Sequence, residues 1–104
     1  FQMENYHHAA KTSDLKSGEG KVVNISGKDV ALFNVEGKFY AIDNACKHRG
    51  GPLGEGILYE DVVTCPLHGW SYNVKTGKYI EDESIHVQVY KVKMEGDNVL
   101  ISLS

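Results

Sequence analysis

Two short stretches hold the residues best suited to chemistry. The first reads Cys46-Lys47-His48-Arg49-Gly50-Gly51-Pro52-Leu53, and the second Cys65-Pro66-Leu67-His68-Gly69-Trp70. They contain the chain's only two cysteines, each separated by one or two residues from a histidine, in the pattern C-x-H, sixteen residues, C-x-x-H. Two thiolates and two imidazoles converging from Gly- and Pro-containing loops describe a metal site for a soft or borderline ion. A tetrahedral zinc site can be built from the same donors. The usual finger, however, places its cysteines together and its histidines together on a helix, whereas here they alternate. A Cys46–Cys65 disulfide is the third reading, and it leaves the two histidines without a role.

The spacing resembles the Rieske family of 2Fe–2S proteins, in which two Cys hold one iron and two His hold the other. Carried over residue by residue, Cys46 and Cys65 bind the inner iron and His48 and His68 the outer one. Pro66, Gly69, Gly50 and the run Gly51-Pro52-Leu53 also match the family's loops. The resemblance extends over nearly the whole chain. It implies one [2Fe-2S] cluster per chain, and a role for Tyr72, Trp70, Pro66, Gly69 and Leu67 around the ligands.

With two thiolates and two neutral imidazoles, an oxidised +2 core is left at zero net charge, and one electron takes it to −1. A four-thiolate site must instead pass from −2 to −3. His ligation therefore raises the potential, to roughly −150 to +300 mV across the family. Members in cytochrome bc complexes add a Ser and a Tyr hydroxyl to the cluster sulfurs and a disulfide between the loops. The positions of those hydroxyls here are Trp70 and Tyr72, and those of the disulfide are Gly51 and Leu67. The Ser hydroxyl and the disulfide are thus missing, which points to the low or middle part of the range.

The first loop and His68-Gly69-Trp70 are similar to the Rieske domain of ring-hydroxylating oxygenases. Those enzymes hold a further mononuclear iron with two His and a carboxylate. The only histidine after His68 is His86, so that site is not available. The resemblance to stand-alone Rieske ferredoxins implies a soluble one-electron carrier, not an enzyme by itself. It passes electrons from a reductase to a terminal oxygenase or other oxidoreductase, docking transiently at the cluster tip. The alternative is a small accessory or redox-sensing subunit of a larger oxidoreductase such as nitrite reductase. A rim of Lys47, Arg49, Pro52, Leu67 and Trp70 would surround the tip. Plain packing against the second loop is the competing reading of Trp70. The third loop, Glu81-Asp82-Glu83-Ser84, lacks the Pro often found there, and its acidic run reads as a solvated turn.

The elements that position these loops read as strands. Period-two stretches run over Tyr6–Ala10, Lys21–Ile25, Asp29–Val35, Lys38–Asn44, Gly56–Tyr59, Asp61–Thr64, Ser71–Asn73 and Lys78–Ile80. The last two, His86–Met94 and Asn98–Leu103, form a hairpin across Glu95-Gly96-Asp97. Ser13 to Lys16 carries Ser and Asp before Leu and predicts a short helical turn. Val30-Ala31-Leu32-Phe33 is apolar on both strand faces, which predicts a central strand covered on both sides. Glu36-Gly37 predicts a two-residue hairpin. The apolar parity of His86–Val92 changes between Val89 and Tyr90, which predicts a bulge or sharp twist. His7 and His8 point to opposite strand faces and read as surface residues. The fold class expected is all-β: an antiparallel sandwich or partly closed barrel of about nine to ten short strands. The resemblance adds an inserted cluster-binding subdomain at about residues 45–73.

A chain of 104 residues is expected to form a single domain, residues 1–104, with one modest core. A formal net charge of −3 argues against nucleic acid, which needs a basic face. No apolar run reaches the length of a membrane span. A reducing cytosol and a monomer are the expected setting.

Overall fold

The computed structural model describes residues 6–47, 50–67 and 69–103. Those residues form eleven strands and two 3-10 turns. The strands are β1 (Tyr6–Lys11), β2 (Gly20–Ile25), β3 (Lys28–Val35), β4 (Lys38–Asp43), β5 (Ile57–Tyr59), β6 (Val62–Thr64), β7 (Ser71–Asn73), β8 (Lys78–Tyr79), β9 (Asp82–His86), β10 (Val89–Glu95) and β11 (Asn98–Ser102). The turns are Thr12–Asp14, which overlaps the expected Ser13–Lys16 turn at Ser13 and Asp14, and Leu53–Glu55.

All pairings are antiparallel, in two sheets. The larger runs β1-β11-β10-β4-β3-β2, with β2 returning beside β1 so that the sheet nearly closes into a barrel. The smaller runs β5-β6-β7-β8-β9. Hairpin chemistry sets the register. Glu36 and Gly37 both have positive φ, 53° and 89°, and leave Val35 paired with Lys38. Two positive φ values match the right-handed twist of the flanking strands, and Gly bears the second without strain.

β3 explains how the two sheets make one molecule. Val30, Ala31, Leu32 and Phe33 are all fully buried. Val30 and Leu32 join the barrel core with Ile25, Ala41, Val99 and Ile101. Ala31 and Phe33 face the other way, into a second core with Ile42, Leu53, Val63, Tyr72, Val74 and Val87. The smaller sheet lies on this outer face. A strand covered on both sides has to be apolar at every position, and here each side meets a different core.

The stretch His86–Met94 is not one strand. β9 ends at His86 in the smaller sheet, and β10 begins at Val89 in the larger one. Val87 is buried in the second core and Tyr90 in the barrel core. The parity change therefore marks a transfer between sheets at Val87–Gln88. No bulge is needed there, because neither sheet's alternation continues through it. This break, together with the short β9, accounts for the eleventh strand.

On β1, the ladder slips between His8 and Ala10. His8 is exposed, and its Nε2–H donates to Asn98 Oδ1 at 3.1 Å.

Candidate metal centre

Both cysteines stand just past strand ends at one end of the fold. Cys46 follows β4 by three residues, and Cys65 follows β6 directly. Both are 3% exposed and neither is in a disulfide.

The first loop is closed across its stem. Cys46 N–H donates to Gly51 O at 3.0 Å, and Gly50 N–H to Cys46 O at 2.7 Å. Ala45 and Pro52 form an isolated bridge, and Leu53 N–H donates to Asn44 O at 2.8 Å. The second loop is tied by Cys65 N–H donating to Trp70 O at 2.7 Å. Its Gly69 takes φ 73°. The loops meet at Gly51. A Cβ there would stand 2.6 Å from Cys65 Sγ and 3.2 Å from Leu67 Cδ1, so any side chain would displace the sulfur or the second loop.

Tyr72 lies beneath the loops on β7, fully buried, with Oη 3.4 Å from Cys46 Sγ. The same oxygen accepts Lys47 N–H at 3.1 Å. Burial, then the neighbouring Cys46, pushes the Tyr72 phenol far above its ordinary range, so it keeps its proton. A backbone N–H can only donate, which leaves the Tyr72 O–H to donate to sulfur. Burial likewise raises the Cys65 thiol; the Leu67 backbone N–H opposes this and Cys46 adds to it. A buried thiol of this kind ionises when a cation takes the proton's place.

The other residues marked by the resemblance occupy distinct places. Pro66 and Gly69 are exposed, and Leu67 is 46% exposed. Trp70 is partly buried and stacks on Tyr79, centroids 4.3 Å apart and planes within 8°. Tyr79 in turn tilts against Tyr72 at 5.7 Å. Trp70 thus packs on β8, beyond the second loop in which it stands. Of the expected rim, Lys47 is exposed and Pro52 partly buried, while Arg49 lies outside the described residues. So do His48 and His68. In the third loop, the Tyr79 O–H donates to Glu81 Oε2 at 3.1 Å, and Asp82 Oδ1 accepts both the backbone N–H and the hydroxyl of Ser84. The acidic run is therefore not a solvated turn throughout: Glu81 lies in the turn, but Asp82, Glu83 and Ser84 open the exposed edge strand β9, without a Pro.

Sequence reasoning missed two residues. Tyr79 looks like an ordinary strand aromatic until its stacking partner is known. Asn44 left a usable signal, since an Asn after a strand and two residues before the candidate ligand Cys46 can tie a turn.

Two buried free thiols, a hydroxyl aimed at one and an N–H at the other, suit a group that takes thiolate ligands and carries negative charge. The comparisons with known proteins agree. The chain is 34% identical over 102 residues to the ferredoxin component of the naphthalene 1,2-dioxygenase system of Pseudomonas aeruginosa, covering 97% of this chain and 98% of the relative. The ferredoxin of carbazole 1,9a-dioxygenase from Nocardioides aromaticivorans IC177 superposes with TM-score 0.89 at 25% identity, over 96% of this chain and 99% of that one. A putative NADH-dependent nitrite reductase small subunit from Mycobacterium tuberculosis reaches TM-score 0.90, over 99% and 98% of the two chains; at 21% identity the likeness is one of fold. The family model described as the Rieske [2Fe-2S] domain matches residues 5–93, and the chain belongs to that family.

Proposed function

We propose that the chain is a soluble, cytoplasmic one-electron carrier. It takes electrons from a reductase and hands them to a terminal oxygenase or related oxidoreductase. The observation that carries this reading is the pair of buried, undisulfided cysteines at one end of the fold, with the Tyr72 hydroxyl directed at Cys46 Sγ. The whole-length identity to a dioxygenase ferredoxin supports the choice of partners. The fold likeness to a nitrite reductase small subunit carries no weight for that activity. No helix among the described residues is long and apolar enough to cross a membrane.

In this reading residues 1–104 are one Rieske domain, with the cluster-binding subdomain at about 45–73. Cys46 and Cys65 hold the inner iron, and His48 and His68 the outer iron. A bound [2Fe-2S] cluster supplies a one-electron couple. The protein's own groups then set how readily the electron is held. The Tyr72 O–H and the Leu67 N–H, donating toward the cysteine sulfurs, favour the more negative state. Gly51 leaves the space that Cys65 Sγ occupies.

Anaerobic reconstitution with ferrous iron and sulfide tests the proposal. The expected product holds two irons and two sulfides per chain, absorbs in the visible, and gives an EPR signal after one-electron reduction. A colourless chain holding a single zinc would overturn it.

A further inference from the structure

Asn44 is one of the few buried polar side chains among the described residues, 9% exposed, and lies two positions before Cys46. Its Oδ1 accepts Gly54 N–H at 2.8 Å, and its backbone oxygen accepts Leu53 N–H at 2.8 Å. Both stems of the first ligand loop are therefore tied to one residue. The other bonds across the stem run from backbone to backbone, so Asn44 contributes the side-chain bond.

Gly54 has nowhere else to turn. It is buried on β2, so close that a Cβ would stand 2.8 Å from Lys21 C and 2.9 Å from Lys21 O. The Asn44 oxygen is the acceptor that this buried N–H has. Losing the acceptor leaves a buried N–H unpaired or moves the stem. Moving the stem moves Cys46, whose sulfur is 3.4 Å from Tyr72 Oη.

We propose that Asn44 is a positioning residue that clamps the first ligand loop to β2 and thereby holds Cys46 Sγ against the Tyr72 hydroxyl. The proposal rests on the reading of Cys46 as a cluster ligand. It assigns Asn44 an effect on electron affinity through a sulfur it does not touch.

The test uses reconstituted full-length protein. Asn44→Ala should release iron to bathophenanthroline disulfonate about tenfold faster than wild type, the scale of one orphaned buried amide. Asn44→Asp keeps an acceptor for Gly54 N–H and should release iron more slowly than Asn44→Ala, although its buried charge keeps it from matching wild type. Asn44→Ala should also lower the midpoint potential, and that shift should vanish in the Tyr72→Phe background. General loosening of the fold would leave the two shifts additive. Failure of Asn44→Ala to load, with Asn44→Asp loading normally, supports the clamp equally. The clamp is overturned if both variants fail to load, if Asn44→Ala keeps its iron at the wild-type rate, or if the potential shift survives in Tyr72→Phe. Loading of the wild-type chain separately tests the carrier reading. A wild-type protein that loads beside an unaffected Asn44→Ala refutes the clamp alone.

Discussion

The two cores are built differently. The barrel core is assembled almost wholly from aliphatic side chains on long strands, with Val30, Leu32, Ala41, Val99 and Ile101 fully buried. β3 and β4 pair over six residues each, and β2 with β3 likewise. The second core gathers both cysteines, Tyr72 and Tyr79 under strands of two to five residues. Its ends are loops whose outer residues Pro66, Leu67 and Gly69 are exposed. Long ladders with a dry interior hold their own shape. Short ladders bearing thiols and phenols gain order from what the thiols bind. This difference predicts a scaffold that holds without the cluster and a site that gains order from it.

The largest effect that would break this comparison is loss of the proposed cysteine ligands. Cys46→Ser and Cys65→Ser should each lose most of the iron and the visible colour, measured by iron assay and absorbance. Hydrogen exchange on these variants should show β6 and β7 opened while β3 and β4 stay protected. Equal loss of protection in both sheets would mean that the molecule is a single cooperative unit.

Leu32→Ala tests the other side. Removing a fully buried Leu from the barrel core should cost about 2–5 kcal/mol in denaturant unfolding. The cost should be similar with and without the cluster, because the deleted atoms face away from the second core. A penalty confined to the loaded protein would sink the independence of the two regions.

Tyr72→Phe sharpens the comparison at the site. In the proposed reading its hydroxyl, 3.4 Å from Cys46 Sγ, stabilises the more negative, reduced state. A net hydrogen bond of about 1 kcal/mol corresponds to roughly 40 mV for one electron, so the midpoint potential should fall by some tens of millivolts. Voltammetry of the folded variant checks this, and an unchanged potential would show that the hydroxyl serves only Lys47 N–H.

The smallest effect lies at the start of β9. The Ser84 hydroxyl, then its backbone N–H, hold the Asp82 carboxyl below its ordinary value of 3.8. A folded pKa below the unfolded one contributes stability at higher pH, and that contribution is lost as pH falls through and below that value. Asp82→Asn should therefore slightly flatten the acid limb of a stability–pH curve read by urea unfolding between pH 6 and 3. The group is fully exposed and screened by solvent, so the change is slight. An acid limb as steep as that of wild type would show that the Ser84 bonds do not persist in solution.

Much of this was legible in the chain. Residue types and spacing pointed to a metal site in two loops, and the structure brings the two cysteines of those loops to buried, neighbouring positions. Period-two patterning located ten of the eleven strands, and the all-apolar Val30–Phe33 announced a strand between two covered faces. Tyr72 was marked through the family resemblance, and its placement at Cys46 Sγ agrees. His48 and His68 were named in the same way and lie outside the described residues.

Alternation along a strand says which residues share a face, because successive side chains point opposite ways. It does not say which core that face will meet. Only the tertiary structure decided that the parity change near Val89 is a passage from one sheet to the other. Only packing put Trp70 on Tyr79, Gly51 on Cys65 Sγ, and the Asn44 side chain on a Gly54 pressed against β2. Each is a contact between segments whose spacing depends on how the whole chain closes. The donors are a property of residue types, whereas the room, the bonds and the support around them belong to neighbours brought in by the fold.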